Sequence, residues 1–271
     1  MGHGKLRKFA ENETFTCLLQ PSSAELLKDG FFSLSDHPVK GNWCPQMFDT
    51  VHPIVLELGC GKGEYTLELA RRNPSHNHVG VDIKGARLWK GAGQATAEKL
   101  RNAAFLRTKV EFIDAFFAPG EVSEIWLTFS DPQMRSENSR LSSPLFLERY
   151  RRILRPGGVI HLKTDSRFLY EYTLSVAKAN SLEVLASATD LYACSPCAEF
   201  PTELFEVQTF YEKMFIGQGC KITYLAFRID HEGPYVHPSE DDFDAKYWRA
   251  AEGPRMLFGH DSAETRRQKI K

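Results

Sequence analysis

No apolar run in this chain of 271 residues approaches the ~20 residues that a membrane-spanning helix requires. The basic start, Met1 to Phe9, lacks the apolar core of a signal peptide. Cysteine is sparse: Cys17, Cys44, Cys60, Cys194, Cys197 and Cys220 are too few for a disulfide framework at this length. A reducing cytoplasm is therefore the expected compartment. Cys194 and Cys197 have the spacing of half a zinc site, but no second pair accompanies them, and no metal is expected. Charge of one sign is also missing. The formal net charge is −1, so no general positive coat draws in a polyanion and only local clusters could do so. Hydrophobic residues are present at 42 %, enough for a sizeable core.

The most informative stretch is Ile54-Val55-Leu56-Glu57-Leu58-Gly59-Cys60-Gly61-Lys62-Gly63. A buried strand that breaks into alternating glycines lets main-chain N–H groups approach a ligand with no Cβ in the way. Helical spacing follows at Tyr65, Leu67, Leu69 and Ala70. Glycine turns of this kind also occur for structural reasons alone. A second short run, His78-Val79-Gly80-Val81-Asp82-Ile83, adds weight. Asp82 lies 19 residues after Gly63, close to the ~20-residue offset at which a carboxylate meets ribose hydroxyls. The glycine spacing is GxGxG, and Glu57 inside the turn would repel a pyrophosphate. A cofactor without phosphate and with a cationic centre fits better, and S-adenosylmethionine is such a cofactor.

The pattern then keeps alternating. Helix is expected over 84–105, bent at Gly91 and Gly93, then a short strand over 110–113 ending on Asp114. A strand over 124–129 stops at Ser130-Asp131-Pro132. A helix over 144–154, with Ser143 as its cap, ends at Arg155-Pro156-Gly157-Gly158. A strand over 159–163, helix 167–180, strand 182–187, helix 206–217 and strand 220–229 complete the series. Alternating strands and helices with short connections imply an α/β fold with a mainly parallel sheet and helices on both faces. Ligands of such sheets bind at the carboxyl ends of the strands, where Glu57, Asp82, Asp114, Asp131 and Asp165 are expected. Residues 1–48 and 231–271 read as appendages to a domain over 49–230. Trp43, Tyr247, Trp248 and Phe258 are expected to patch onto its surface.

Taken together these motifs resemble a known family. Glu57-Leu-Gly-Cys-Gly-Lys-Gly63, Gly80-Val-Asp82 and Phe112-Ile-Asp-Ala115 are similar to the successive cofactor motifs of class I S-adenosylmethionine-dependent methyltransferases. Leu127-Thr-Phe-Ser-Asp-Pro-Gln-Met-Arg135, His161-Leu-Lys-Thr-Asp165 and Thr209-Phe-Tyr-Glu212 resemble the later motifs of bacterial tRNA (guanine-N7-)-methyltransferases, in order. The resemblance implies a Rossmann-like class I methyltransferase with a seven-stranded, mainly parallel sheet. It implies that S-adenosylmethionine is held at Glu57, Gly59, Gly61, Gly63, Asp82, Asp114 and Asp131, and that tRNA is the substrate. Arg135, Asp165, Thr209, Phe210, Tyr211 and Glu212 fall at the target-nucleotide positions, and Asp131 at the catalytic one. The family's Pro-Asp-Pro-Trp is Ser130-Asp131-Pro132-Gln133 here, and its dense basic run is thinned to Arg135-Ser-Glu-Asn-Ser-Arg140. Fewer cations there mean fewer phosphate contacts. Seven Lys or Arg against one acid between Lys84 and Lys109 could compensate.

Guanine N7 carries a free lone pair, so methylation needs no general base. Asp131 is therefore read as orienting and stabilising charge, with Asp165 or Glu212 accepting from the base's N1–H and N2–H₂. Asp131 before a proline is also a turn starter, and Thr209-x-x-Glu212 is also a capping pattern. Two other classes share part of these features: a methyltransferase acting on a protein or small molecule, and a non-enzymatic RNA-binding module.

Overall fold

A computed structural model describes residues 3–27 and 34–252. Its strands are β1 (Leu18–Leu19), β2 (Ile54–Leu58), β3 (Asn77–Asp82), β4 (Ala103–Arg107), β5 (Val122–Thr128), β6 (Leu154–Thr164), β7 (Val184–Ala188) and β8 (Thr223–Arg228). The helices are α1 (His3–Asn12), α2 (Ser23–Leu26), α3 (Trp43–Gln46), α4 (Glu64–Arg72), α5 (Gly85–Glu98), α6 (Pro144–Arg151), α7 (Arg167–Ala179), α8 (Glu203–Glu206), α9 (Phe210–Gly217) and α10 (Ala245–Glu252).

All five residues of β2 are buried, as a strand covered on both faces requires. Leu56 and Leu58 join one apolar cluster with Phe146 of α6 and Phe168 of α7, whereas Val55 joins another with Tyr65 and Leu69 of α4. Helices therefore cover both faces, and the period of two along the strand decides which residue serves which. The strand order is β1-β4-β3-β2-β5-β6-β8-β7. β2 pairs in parallel with β3 and β5, and β8 runs antiparallel to both β6 and β7. The carboxyl ends of β2, β3, β4, β5 and β6 consequently share one edge.

The sheet has eight strands, not seven, because the N-terminal segment adds β1 alongside β4 (Leu18↔Phe105). The segments expected as appendages share the main core. Trp43 is fully buried, stacked on Phe117 at 4.8 Å with its Nε1 donating to the Phe116 carbonyl, and does not lie on the surface. Tyr235 and Phe243 join the same cluster. Tyr247 remains exposed, and Phe258 lies outside the described residues.

Several boundaries move for physical reasons. α5 stops at Glu98, with Lys99 left-handed at φ 56°, and the run 103–107 becomes β4. A short apolar run carries no periodicity of its own, and here the sheet claims it. Both flanks of β4 are paired, and Val110–Ala115 forms a 3₁₀ helix in place of the expected strand. Gly91 and Gly93 do not break α5. A Cβ at Gly91 would meet the Phe105 ring at 2.7 Å and the Lys62 carbonyl at 2.8 Å, so glycine there permits close packing. Arg155-Pro156-Gly157-Gly158 lies inside β6 as an irregularity between Val122↔Leu154 and Glu124↔Val159. Ser143 precedes Pro144, but its side chain makes no capping bond. Residues 203–217 form two short helices, α8 and α9. Among the described residues, no helix is long and apolar enough to cross a membrane.

Candidate active site

The turn after β2 needs glycine because Gly59, Gly61 and Gly63 take φ of 79°, 58° and 72°. Gly59 and Cys60 N–H groups donate to the Val81 carbonyl at 2.8 and 3.0 Å, which ties the turn to the end of β3. Asp82 completes the tie: Oδ2 accepts from Gly61 N at 3.0 Å and Oδ1 from Lys84 N at 2.7 Å. A Cβ at Gly61 would meet nothing within 4 Å, so the turn opens towards free space.

Glu57 sits beneath this turn, 4 % exposed. One carboxylate oxygen accepts from Thr66 N (2.9 Å) and Oγ1, and the other from Thr128 Oγ1. Burial raises its pKa to about 7, against the opposing pull of the Thr128 and Thr66 hydrogen bonds.

The segment after β5 is held in unusual backbone. Phe129 and Gln133 are left-handed at φ 48° and 44°, a conformation that costs a non-glycine residue about 1 kcal/mol or more. Asp131 stands between them, exposed, with Oδ1 accepting from Gln133 N at 2.9 Å. Phe129 N donates to the Lys163 carbonyl at 2.9 Å, joining this turn to the end of β6. Arg140 anchors the far side. It is 2 % exposed, lies 4.2 Å from the Tyr172 ring centroid and 4.8 Å from that of Phe168, and donates to the carbonyls of Gln133 and Met134. Arg135 is exposed and Asp165 half-buried at the start of α7. Beside Asp165, Glu252 of α10 accepts from Ser166 Oγ at 2.9 Å and Phe168 N at 2.7 Å.

The last motif docks on the first. Thr209 caps α9, its Oγ1 accepting from Glu212 N at 3.1 Å. Phe210 N donates to Glu64 Oε2 at 2.8 Å, and the Lys62 ammonium lies 5.4 Å from the Phe210 ring centroid. Phe210 is 59 % exposed and Tyr211 40 %. Glu212 differs from its expected role. It is fully buried, and its Oε1 is ion-paired with Lys163 at 2.7 Å and accepts from the Tyr192 hydroxyl at 2.6 Å, while Oε2 is buried with no hydrogen-bond partner among the described residues.

Glu57, the three glycines and Asp82 thus form one unit, Thr209 and Phe210 lean on it, and Asp131 and Asp165 close its other side through paired β5 and β6. Asp114 does not join them. It lies in the 3₁₀ turn well past the end of β4, its carboxylate is paired with Arg152 (2.8 Å) and Arg149 (3.8 Å), and it lines a recess with Asp36, Lys40 and Glu111. Thr66, Thr128, Lys163 and Tyr192 escaped the reading from sequence. A lone lysine inside an apolar strand was the one available signal, since a buried ammonium demands a partner.

The parallel sheet with an antiparallel end pair and the glycine turn after its first long strand define a methyltransferase fold. A solved structure titled 16S rRNA methyltransferase KamB matches it with a TM-score of 0.52 over 77 % of this chain and 98 % of that one, at 16 % identity. The family model described as "Putative methyltransferase" matches residues 51–225. Curated relatives named tRNA (guanine-N(7)-)-methyltransferase include that of Christiangramia forsetii, 48 % identical over 83 % of this chain and 97 % of its own. Those of Bacteroides thetaiotaomicron (44 %, 88 % and 90 %) and Porphyromonas gingivalis (48 %, 72 % and 79 %) agree. The chain belongs to the tRNA (guanine-N7)-methyltransferase family.

Proposed function

We propose that this protein transfers a methyl group from S-adenosylmethionine to N7 of a guanine in tRNA, in the cytoplasm. The observation that carries the reading is the Asp131 turn. An exposed carboxylate is held in strained backbone at the same sheet edge as the glycine turn and the α9 aromatics.

The chain's residues fit the cofactor. The glycine turn gives Cβ-free backbone, Asp82 stands at the end of β3 for the ribose hydroxyls, and Glu57 favours a cationic methionine moiety once ionised. When bound, S-adenosylmethionine supplies an electrophilic methyl on a sulfonium. The protein's task is then positioning. Guanine N7 attacks with its own lone pair, so no side chain needs to remove a proton. Asp131 orients the base and stabilises the positive charge that develops on it. Phe210 and Tyr211 present exposed rings on which an unstacked guanine can rest, a contact worth about 1–3 kcal/mol. Arg135 offers a planar cation to O6 or a flanking phosphate, and Asp165 an acceptor for N1–H or N2–H₂.

Labelled methyl from S-adenosylmethionine should enter unmodified tRNA as 7-methylguanosine. Asp131→Asn should lose at least about 100-fold in kcat. Labelling of protein or free nucleosides in preference to tRNA would refute the substrate, and undiminished turnover in Asp131→Asn would refute the assigned role.

A further inference from the structure

We propose that Glu212 is a positioning residue and not a ligand of the target base: with Lys163 and Tyr192 it forms a buried latch that sets the exposed Thr209–Tyr211 turn against the glycine turn. The proposal rests on the reading of the site as a tRNA methyltransferase.

An ammonium has three donors, and Lys163 places all of them. Nζ reaches Glu212 at 2.7 Å, the Leu204 carbonyl at 2.7 Å and the Val207 carbonyl at 3.0 Å. Leu204 belongs to α8, and Val207 is the residue that ends it, so one side chain of β6 gathers the whole segment between α8 and α9. Tyr192 donates to the same Glu212 oxygen and accepts from Gln208 Nε2 at 2.9 Å. Both members of the ion pair are fully buried. Breaking one member of such a pair strands the other's charge in a low-dielectric interior, whereas removing both strands no charge and leaves only the Leu204 and Val207 carbonyls without their donor.

Glu212 Oε2 has no hydrogen-bond partner among the described residues, but it is buried, so a base could reach it only by entering a closed space. The side chains next to Glu212 on the same turn are placed very differently. Phe210 and Tyr211 face outwards, and Phe210 N is fixed on Glu64 of the helix that leaves the glycine turn. Lys163 also opposes Thr128 in the β5–β6 register, and its carbonyl holds Phe129 N. One buried lysine therefore sits at the root of both the Asp131 turn and the α9 turn. The latch fixes where the aromatic pair stands relative to the cofactor turn and to Asp131.

A double-mutant cycle separates latch from ligand. Glu212→Gln and Lys163→Met should each raise KM for tRNA by about tenfold, with cofactor affinity within twofold of wild type. The double variant K163M/E212Q should be less impaired than either single variant, because neither charge is stranded and only the Leu204 and Val207 carbonyls lose their donor. A double variant as impaired as Glu212→Gln alone would overturn the proposal, since a lost base contact cannot be rescued by removing Lys163. Should the single variants fold poorly, Tyr192→Phe changes no charge and should raise KM by about threefold at unchanged kcat. Unchanged kinetics in that variant would overturn the latch. Amide hydrogen exchange over residues 204–212 reads the latch without any substrate. Faster exchange in both single variants, partly restored in the double variant, supports it, and uniform exchange in all variants refutes it. If wild type methylated no tRNA, the functional reading would fail and the exchange data would still decide the latch.

Discussion

Two buried titratable groups of this sheet pull stability in opposite directions as pH changes. Burial raises Glu57 from 4.5 to about 7, and burial lowers His78 of β3 from 6.5 to about 4. Between pH 4.5 and 7 folded Glu57 keeps a proton that the unfolded chain has released, so stability falls as pH rises. Between pH 4 and 6.5 the unfolded chain protonates His78 and the folded chain does not, so stability rises with pH. Each window spans about 2.5 pH units, which at about 1.36 kcal/mol per unit is about 3 kcal/mol. Across the shared range, pH 4.5 to 6.5, the two slopes cancel.

Removing one group should therefore expose the other. Urea unfolding of Glu57→Gln, followed from pH 4 to 7, should show stability climbing by about 3 kcal/mol relative to the wild-type profile. His78→Phe should fall by about the same amount against the same reference. Taking each variant as a difference from wild type cancels every other titrating group. A Glu57→Gln profile parallel to wild type would refute the claim that this carboxyl is protonated in the folded protein near neutrality.

Gly91→Ala should destabilise by about 1–3 kcal/mol in thermal unfolding, although glycine to alanine usually strengthens a helix by about 1 kcal/mol. The added Cβ would meet the immobile Lys62 carbonyl at 2.8 Å, and a raised Tm would refute this. Reversing Lys84, Arg87 and Lys90 to glutamate should raise the apparent KM for tRNA and flatten its salt dependence while leaving cofactor affinity alone; an unchanged KM excludes this surface from RNA binding. Arg140→Met should lower kcat several-fold and stability by about 2 kcal/mol, because the Gln133 and Met134 carbonyls lose their donor and the Tyr172 ring its cation. Wild-type kcat with a normal Tm would show that Arg140 does not hold the Asp131 turn.

The parts of this site that are legible in the sequence are those whose chemistry is local. Three glycines with positive φ, an acid at the end of the next strand and a proline after Asp131 each carry their reason within a few residues. The parts that are not legible depend on what lies across the fold. Ala103–Arg107 and Val110–Ala115 are both short apolar runs, and only the pairing of the first with β3 and β1 makes one a strand and the other a 3₁₀ turn. That same shift removes Asp114 from a strand end and leaves it to Arg149 and Arg152. Thr209-x-x-Glu212 is equally a ligand pair or a helix start by its letters. Thr209 proves to be the cap, and burial against Lys163 decides what Glu212 does.

The thinned basic run after Asp131 has a structural counterpart. Of its two arginines, Arg140 is withdrawn into an aromatic cage formed by Phe168, Tyr172 and Phe243. Only Arg135 stays exposed, so this loop offers phosphate a single arginine. Other exposed cations lie beyond β2, β3 and β4, at Lys62, Lys84 and Lys109, and on α9 and α10, at Lys213 and Arg249. Polyanion binding should therefore draw on cations around the loop more than on the loop itself, leaving the Asp131 loop to orient the base. On that division of labour Arg140 exchanges a screened surface charge, whose contact with phosphate weakens with salt, for a buried one that holds the loop's backbone in place.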